Sequence, residues 1–161
     1  MNKLFSLILV FSFLTFACTK EKTYLYEVNP VTVEQDGANK NNLKSDFEFI
    51  SIAYSDLFGT TISRDDLVDL SLAYASFGDR KLVEDMIIRN FLNSSSVNIP
   101  TSTQMRSDIP QFISDTYGKL FNRAPNEFES WYVVNLIEND MSITSEIVYY
   151  SFMTSNEYRY Y

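Results

Sequence analysis

The feature that most limits what this chain can fold into is an internal repeat. An offset of 63 places carries Phe49 onto Phe112, Ile50 onto Ile113, Tyr54 onto Tyr117, Leu57 onto Leu120 and Phe58 onto Phe121. Farther along the offset becomes 61, and Asp79 then falls on Asp140, Ile87 on Val148, Phe91 on Phe152 and Ser94 on Ser155. A unit written twice is a supersecondary block that buries its apolar face partly against its neighbour. In 161 residues there is room for one ordinary domain or two small packed repeats.

The local pattern of each copy is helical. Ser45-Asp-Phe-Glu48 has the spacing of a capping box, and Ile50, Ala53, Tyr54, Leu57 and Phe58 behind it line one helical face up to Gly59. Ser63 starts a second helix with Asp65 and Asp66 in its first turn, where carboxylates complement the helix dipole. Its stripe is Leu67, Leu70, Tyr74 and Phe77, and Gly78 stops it. Asp79 caps a third, with Val83, Met86, Ile87 and Phe91 expected inward. Residues 93–102 read as a turn-rich linker, and copy two begins near Asp108 with Pro110 suited to a first helical turn. Its faces are Ile113, Thr116, Tyr117, Leu120 and Phe121; then Phe128, Trp131, Tyr132 and Leu136; then, after a Thr144 cap, Val148, Tyr149, Phe152 and Met153. The expected fold is all-α, two three-helix repeats packed together over residues 46–96 and 107–161.

The N-terminus has a different character. Met1-Asn-Lys3 precedes an apolar run from Leu4 to Leu14, and Thr-Phe-Ala-Cys18 follows, which is the layout of a secretory signal. The run is short of the roughly 20 residues a membrane span needs. The Ala17-Cys18 junction resembles the lipobox of bacterial lipoproteins, in the loose form seen in Bacteroidota, with Thr15 where the box usually has Leu. The resemblance implies a signal peptide over 1–17, a lipidated Cys18 as first residue of the mature chain, and anchoring in the outer membrane. Thr19 is unlike the Asp of inner-membrane retention signals, and Lys20-Glu-Lys22 only weakly resembles a surface-export signal, so the periplasmic face is the expected location. Residues 18–45 read as an irregular tether, with Asn29-Pro30 and Asp36-Gly37 as coil signals and two short alternations, Tyr24-Leu-Tyr26 and Val31-Thr-Val33.

Composition narrows the function classes. A net charge of -8 argues against nucleic acid, whose phosphates require a basic face. The absence of histidine removes the commonest general base and metal ligand, and no cofactor motif occurs. Asp65, Asp66 and Asp69 lack the loop spacing of a calcium hand, so no metal site is expected. Glu127 and Glu129 are adjacent on a helix start, which does not define the separation that sugar hydrolysis needs. Arg123 beside Pro125 is suited to bond helix carbonyls or a neighbouring carboxylate. The chain is therefore expected not to be an enzyme.

Tyr117-x-x-Leu-Phe-Asn-Arg-x-Pro125, then Glu129-x-Trp-Tyr-x-x-Asn135, then Phe152-x-x-Ser-x-Glu-Tyr158 resembles a repeat of bacterial secreted proteins that has no assigned function and is similar to the helical linker domain of phycobilisomes. The likeness covers about 45 residues of copy two, whereas copy one keeps the aromatic skeleton and has Gly59-Thr-Thr-Ile62 in place of Asn-Arg-Ala-Pro. It implies a helical module for protein association. Trp131, Tyr158, Tyr160 and Tyr161 form the candidate interaction group: expected to close the base of the core, and also apt for a protein interface or for stacking on sugars. The expected partner is an envelope protein complex, with a glycan or peptidoglycan contact as the alternative.

Overall fold

The computed structural model describes residues 40–160; the expected signal peptide, Cys18, most of the expected tether and Tyr161 lie outside the described residues. Seven α-helices and one short 3-10 turn make up the described chain: α1 (Asp46–Phe58), α2 (Arg64–Ser76), α3 (Arg80–Leu92), α4 (Ser102–Ser107), α5 (Ile109–Phe121), α6 (Glu127–Asn139), α7 (Ser145–Met153) and the turn Glu157–Arg159. Among the described residues extended pairing is confined to an isolated antiparallel bridge between Leu43 and Tyr160. The fold is all-α, two three-helix repeats packed together.

The repeat is visible in the punctuation of the helices. Ser45 and Asp108, each accepting a backbone N–H from three residues on, start α1 and α5; Ser63 and Asn126 start α2 and α6 in the same manner. Capping side chains satisfy the N–H groups that a first turn leaves without partners. Both first helices stop on a left-handed residue, Gly59 at φ 70° and Asn122 at φ 54°. All these pairs are 63 apart. In the third helix the copies part: the N-caps Asp79 and Thr144 are 65 apart, while the C-caps Asn93 and Thr154 are 61 apart. Hence α7 has 9 residues where α3 has 13. Asp140, which the sequence offset pairs with Asp79, instead ends α6, because the residues removed from the third helix became the turn before it.

The core is shared between the copies. Phe49, Ile50, Ala53 and Leu57 of α1 and Phe112, Ile113, Tyr117, Leu120 and Phe121 of α5 are buried, and α3 packs on α7 across the repeat boundary. Each copy carries the same aromatic trio. Tyr54, Phe58 and Phe91 meet with ring centroids 4.4, 5.5 and 5.6 Å apart, and their counterparts Tyr117, Phe121 and Phe152 at 5.2, 5.0 and 5.4 Å. Most of these are edge-on or tilted, the arrangement that ring quadrupoles favour by about 1 kcal/mol per pair.

Four expectations are corrected. Met86 is exposed and Ile88 takes an inward place in α3, next round the helix from Ile87. Phe77 is exposed, because α2 ends before it and the chain turns extended there. The linker contains α4, set by a Thr101–Gln104 capping box, and its Met105 is fully buried. The end of the expected tether is part of the fold: Lys44 N–H donates to the Arg159 carbonyl at 2.9 Å, and the Lys40 ammonium donates to the Phe121 carbonyl at 2.6 Å.

Candidate functional site

The sequence placed Trp131 on an inward stripe of α6, and the structure turns that stripe outward. Phe128 is 69% exposed, Trp131 59% and Tyr132 54%, with Leu136 also exposed, whereas Val133 and Ile137 on the opposite side are buried. Apolar residues occur nearly all round this helix, so two faces competed for the core. The smaller one, Val133 and Ile137, faces the core where α6 packs on α5. On the outer side Phe128 and Tyr132 stand nearly parallel, 6.2 Å apart and 20° off plane, and Trp131 lies 6.1 Å from Phe128.

The tyrosines do not join it. Tyr158 is fully buried, edge-on to Phe49 at 5.9 Å, and its hydroxyl donates to Asp56 at 2.7 Å. It is therefore a core residue and no part of an interaction surface. The chain end is folded back over it by the 3-10 turn, the Lys44–Arg159 hydrogen bond and the Leu43–Tyr160 bridge. Tyr160 is half-exposed on that bridge, away from the α6 stripe in sequence and element, and Tyr161 lies outside the described residues.

Arg123 fixes the N-terminus of α6. Its guanidinium grips both carboxylate oxygens of Glu129 and both of Glu157, all at 2.7 Å, and lies over the Tyr117 ring at 5.0 Å. Lys40 adds to Glu157 at 3.3 Å. The two glutamates are held below the usual carboxylate range by these hydrogen bonds, and Arg123 is held protonated by them. Glu129 also completes the α6 capping box with Asn126, while Glu127 in the same turn is exposed. At the other end of α6 Arg106 donates to the carbonyls of Ile137, Asp140 and Ile143 at 2.8, 3.0 and 2.9 Å, a cation where the helix dipole favours one.

Two acids, the buried Glu84 and the half-buried Asp56, have their pKa raised by desolvation. Asp56 accepts the Tyr158 hydroxyl, and Glu84 pairs with Arg159 at 2.7 Å. Both are committed to structural partners. Beside Tyr158, burial drives Lys44 down to about 8, its ammonium sitting 4.1 Å over that ring. An open cleft of about 420 Å³ between the linker segment and copy two is lined by Gln104, Asp108, Gln111, Phe112, Asp115 and Tyr149, and neither Asp56 nor Glu84 is among its lining residues. Asp65, Asp66 and Asp69 are all exposed, and among the described residues no group of three His, Cys, Asp or Glu side chains is placed to hold a metal ion. No described helix is long and apolar enough to cross a membrane.

The aromatic stripe is not something the fold demands. At the same places in α2, 63 residues earlier, Phe128 is matched by Asp65, Trp131 by Val68 and Tyr132 by Asp69, and these too are exposed. Neither a protein-family profile, nor a curated protein, nor a solved structure matches the chain.

Proposed function

We propose that the chain is an outer-membrane lipoprotein, tethered through Cys18 on the periplasmic face, whose helical repeats serve as a non-catalytic accessory or scaffold subunit of a cell-envelope protein complex. The observation that carries the reading is the exposed Phe128, Trp131 and Tyr132 on α6, at places where the other copy has Asp65, Val68 and Asp69. Large aromatics left in water cost free energy, roughly 1.5–3 kcal/mol for each side chain that burial would have stabilised. Residues of this type cluster in the centres of protein interfaces. The lipobox-like Ala17-Cys18 supports the anchor, and the locked state of Asp56, Glu84 and Glu129 supports a role other than catalysis.

The test is affinity capture of the tagged whole chain from gently solubilised membranes, beside Cys18→Ala and the double variant Phe128→Asp, Tyr132→Asp. The expected result is a stoichiometric envelope protein that is lost from both variants. Recovery of the chain alone, or a partner indifferent to the double variant, would overturn the reading. Intact-mass measurement of the membrane form checks the anchor separately: an unmodified Cys18 is incompatible with it.

The second reading is a glycan or peptidoglycan contact. It is favoured by the near-parallel Phe128 and Tyr132 rings, a geometry on which a sugar face stacks. It moves from the chain end to α6 because Tyr158 is buried. A polysaccharide panel read by the emission of Trp131, the single tryptophan, would reveal it.

A further inference from the structure

The charge around α6 narrows the kind of partner. Between Arg123 and Arg159 the chain has no lysine or arginine, while Glu127, Glu129, Glu138, Asp140, Glu146 and Glu157 fall in that span. Glu129 and Glu157 are offset by Arg123, which they share, and by Lys40 beside Glu157. Arg106, the cation that reaches the other end of the helix, is committed to backbone carbonyls. Glu127 and Glu138 are exposed, four residues before and seven after Trp131, which places them along the same side of the helix as that ring. The stripe is thus apolar with an acidic margin.

We infer that the α6 face receives a cationic amphipathic helix of a partner protein, whose apolar side chains seat on Phe128, Trp131, Tyr132 and Leu136 while its lysines or arginines meet Glu127 and Glu138. The inference rests on the scaffold reading above and names the chemistry of its partner. Helix-on-helix docking of this kind uses anchors at i, i+3 and i+4, the spacing that Phe128, Trp131 and Tyr132 present. The competing occupants fit less well. A second copy would set Glu127 and Glu138 against their own equivalents, and like charges across an interface are unfavourable. A bilayer surface would have to take the same carboxylates into its headgroup layer, with no basic residue of this span to offset them. A sugar needs hydrogen-bond donors beside the rings, and the Asn135 amide on this face donates to the Trp131 carbonyl at 2.8 Å.

The reporter is built in, because the single tryptophan stands in the stripe. The whole chain carrying Cys18→Ala, in aqueous buffer, is titrated with a synthetic amphipathic helix of leucine and lysine, with a leucine–glutamate helix of the same pattern, and with zwitterionic lipid vesicles. The expected result is a saturable blue shift of Trp131 with the lysine helix alone, weakening as salt is added. The variant Phe128→Asp, Tyr132→Asp then binds at least tenfold more weakly with an unchanged circular dichroism spectrum. That variant adds two negative charges, so an attraction made of charge alone would strengthen instead. Equal binding of the glutamate helix, a vesicle-induced shift or a self-association that the Phe128→Asp, Tyr132→Asp variant loses, or a tighter variant would each overturn the inference. If the lysine helix fails while capture of an envelope protein still depends on Phe128 and Tyr132, the scaffold reading survives and only the cationic partner falls.

Discussion

Copy one and copy two share the starts and stops of their first two helices and an aromatic trio, and differ in what they place around that frame. At the end of the first helix Gly59 and Asn122 hold the same left-handed turn, one by lacking a Cβ and the other by the tolerance of asparagine for that region. One place later copy two has Arg123, which ties Glu129 to Glu157, where copy one has Thr60 and a backbone bond from Asn98 N–H to the Leu57 carbonyl at 2.7 Å. On the second helix copy one has an acidic surface and copy two an aromatic one. The shared residues are therefore those the fold requires, and the unshared ones separate into fastenings and a surface. Repetition within one chain acts as its own control experiment.

The comparison can be broken at its fastening first. Arg123→Met leaves Glu129 and Glu157 facing each other without their cation, and should cost about 2–3 kcal/mol in denaturant unfolding, less than a fully buried pair because all three side chains touch water. Thr60→Met, at the corresponding place in copy one, should change stability by less than about 0.5 kcal/mol. Since both glutamates are held below the usual range, the parent chain draws stability from them above roughly pH 4.3 and loses it as pH falls through their folded values. The Arg123 variant should lack that acid limb.

A smaller effect lies at the junction of the chain ends, which only copy one's lead-in segment supplies. Folded Lys44 gives up its proton near pH 8, whereas an unfolded lysine does so near about 10.4, so between these values the unfolded chain binds more protons. Stability should accordingly rise with pH across that window, by part of the roughly 3 kcal/mol to which a shift of this size corresponds. Lys44→Met should flatten the rise, which unfolding curves at pH 7.5 and 10 would show. A slope unchanged by Lys44→Met would mean that its ammonium is well solvated.

The finest test exchanges the two turn residues. Gly59→Ala should cost about 1 kcal/mol from backbone strain alone, since an added Cβ meets the Asn98 side chain at an ordinary 3.7 Å. Gly59→Asn should cost markedly less, because Asn122 performs that turn in copy two. Thermal unfolding of the two variants, compared side by side, distinguishes strain from packing.

Much of the frame was legible in the sequence because caps are local. Ser45, Ser63, Asp79, Asp108 and Thr144 were each readable from a polar residue followed by an apolar period, and each caps a helix. The α4 helix carried the same kind of signal in Thr101-x-x-Gln104, but a single turn around Met105 has too few residues for a period. The site was harder. On α6 the stripe of Phe128, Trp131, Tyr132 and Leu136 and the stripe of Val133 and Ile137 have the same spacing, and size favoured the wrong one. Which side faces α5 is a property of packing between elements. The offset itself contained the warning, since Asp65 and Asp69 occupy two of those places in copy one. For Tyr158 the sequence offered both the core and an interaction surface, and only the core place holds: nothing local decides between them until Lys44 and Asp56, 114 and 102 residues away, are brought beside it.

The bridge between Leu43 and Tyr160 brings the two ends of the described chain to one spot, within the roughly 5 Å that separates paired strands. A short loop across that gap would close the domain into a ring. The chain could then be reopened in the 93–101 segment that joins the copies, so that copy two is synthesised before copy one. Such a circular permutant would retain every helix, the shared core and the α6 face, and the order in which the two halves are written would be a matter of history with no bearing on the shape they make together.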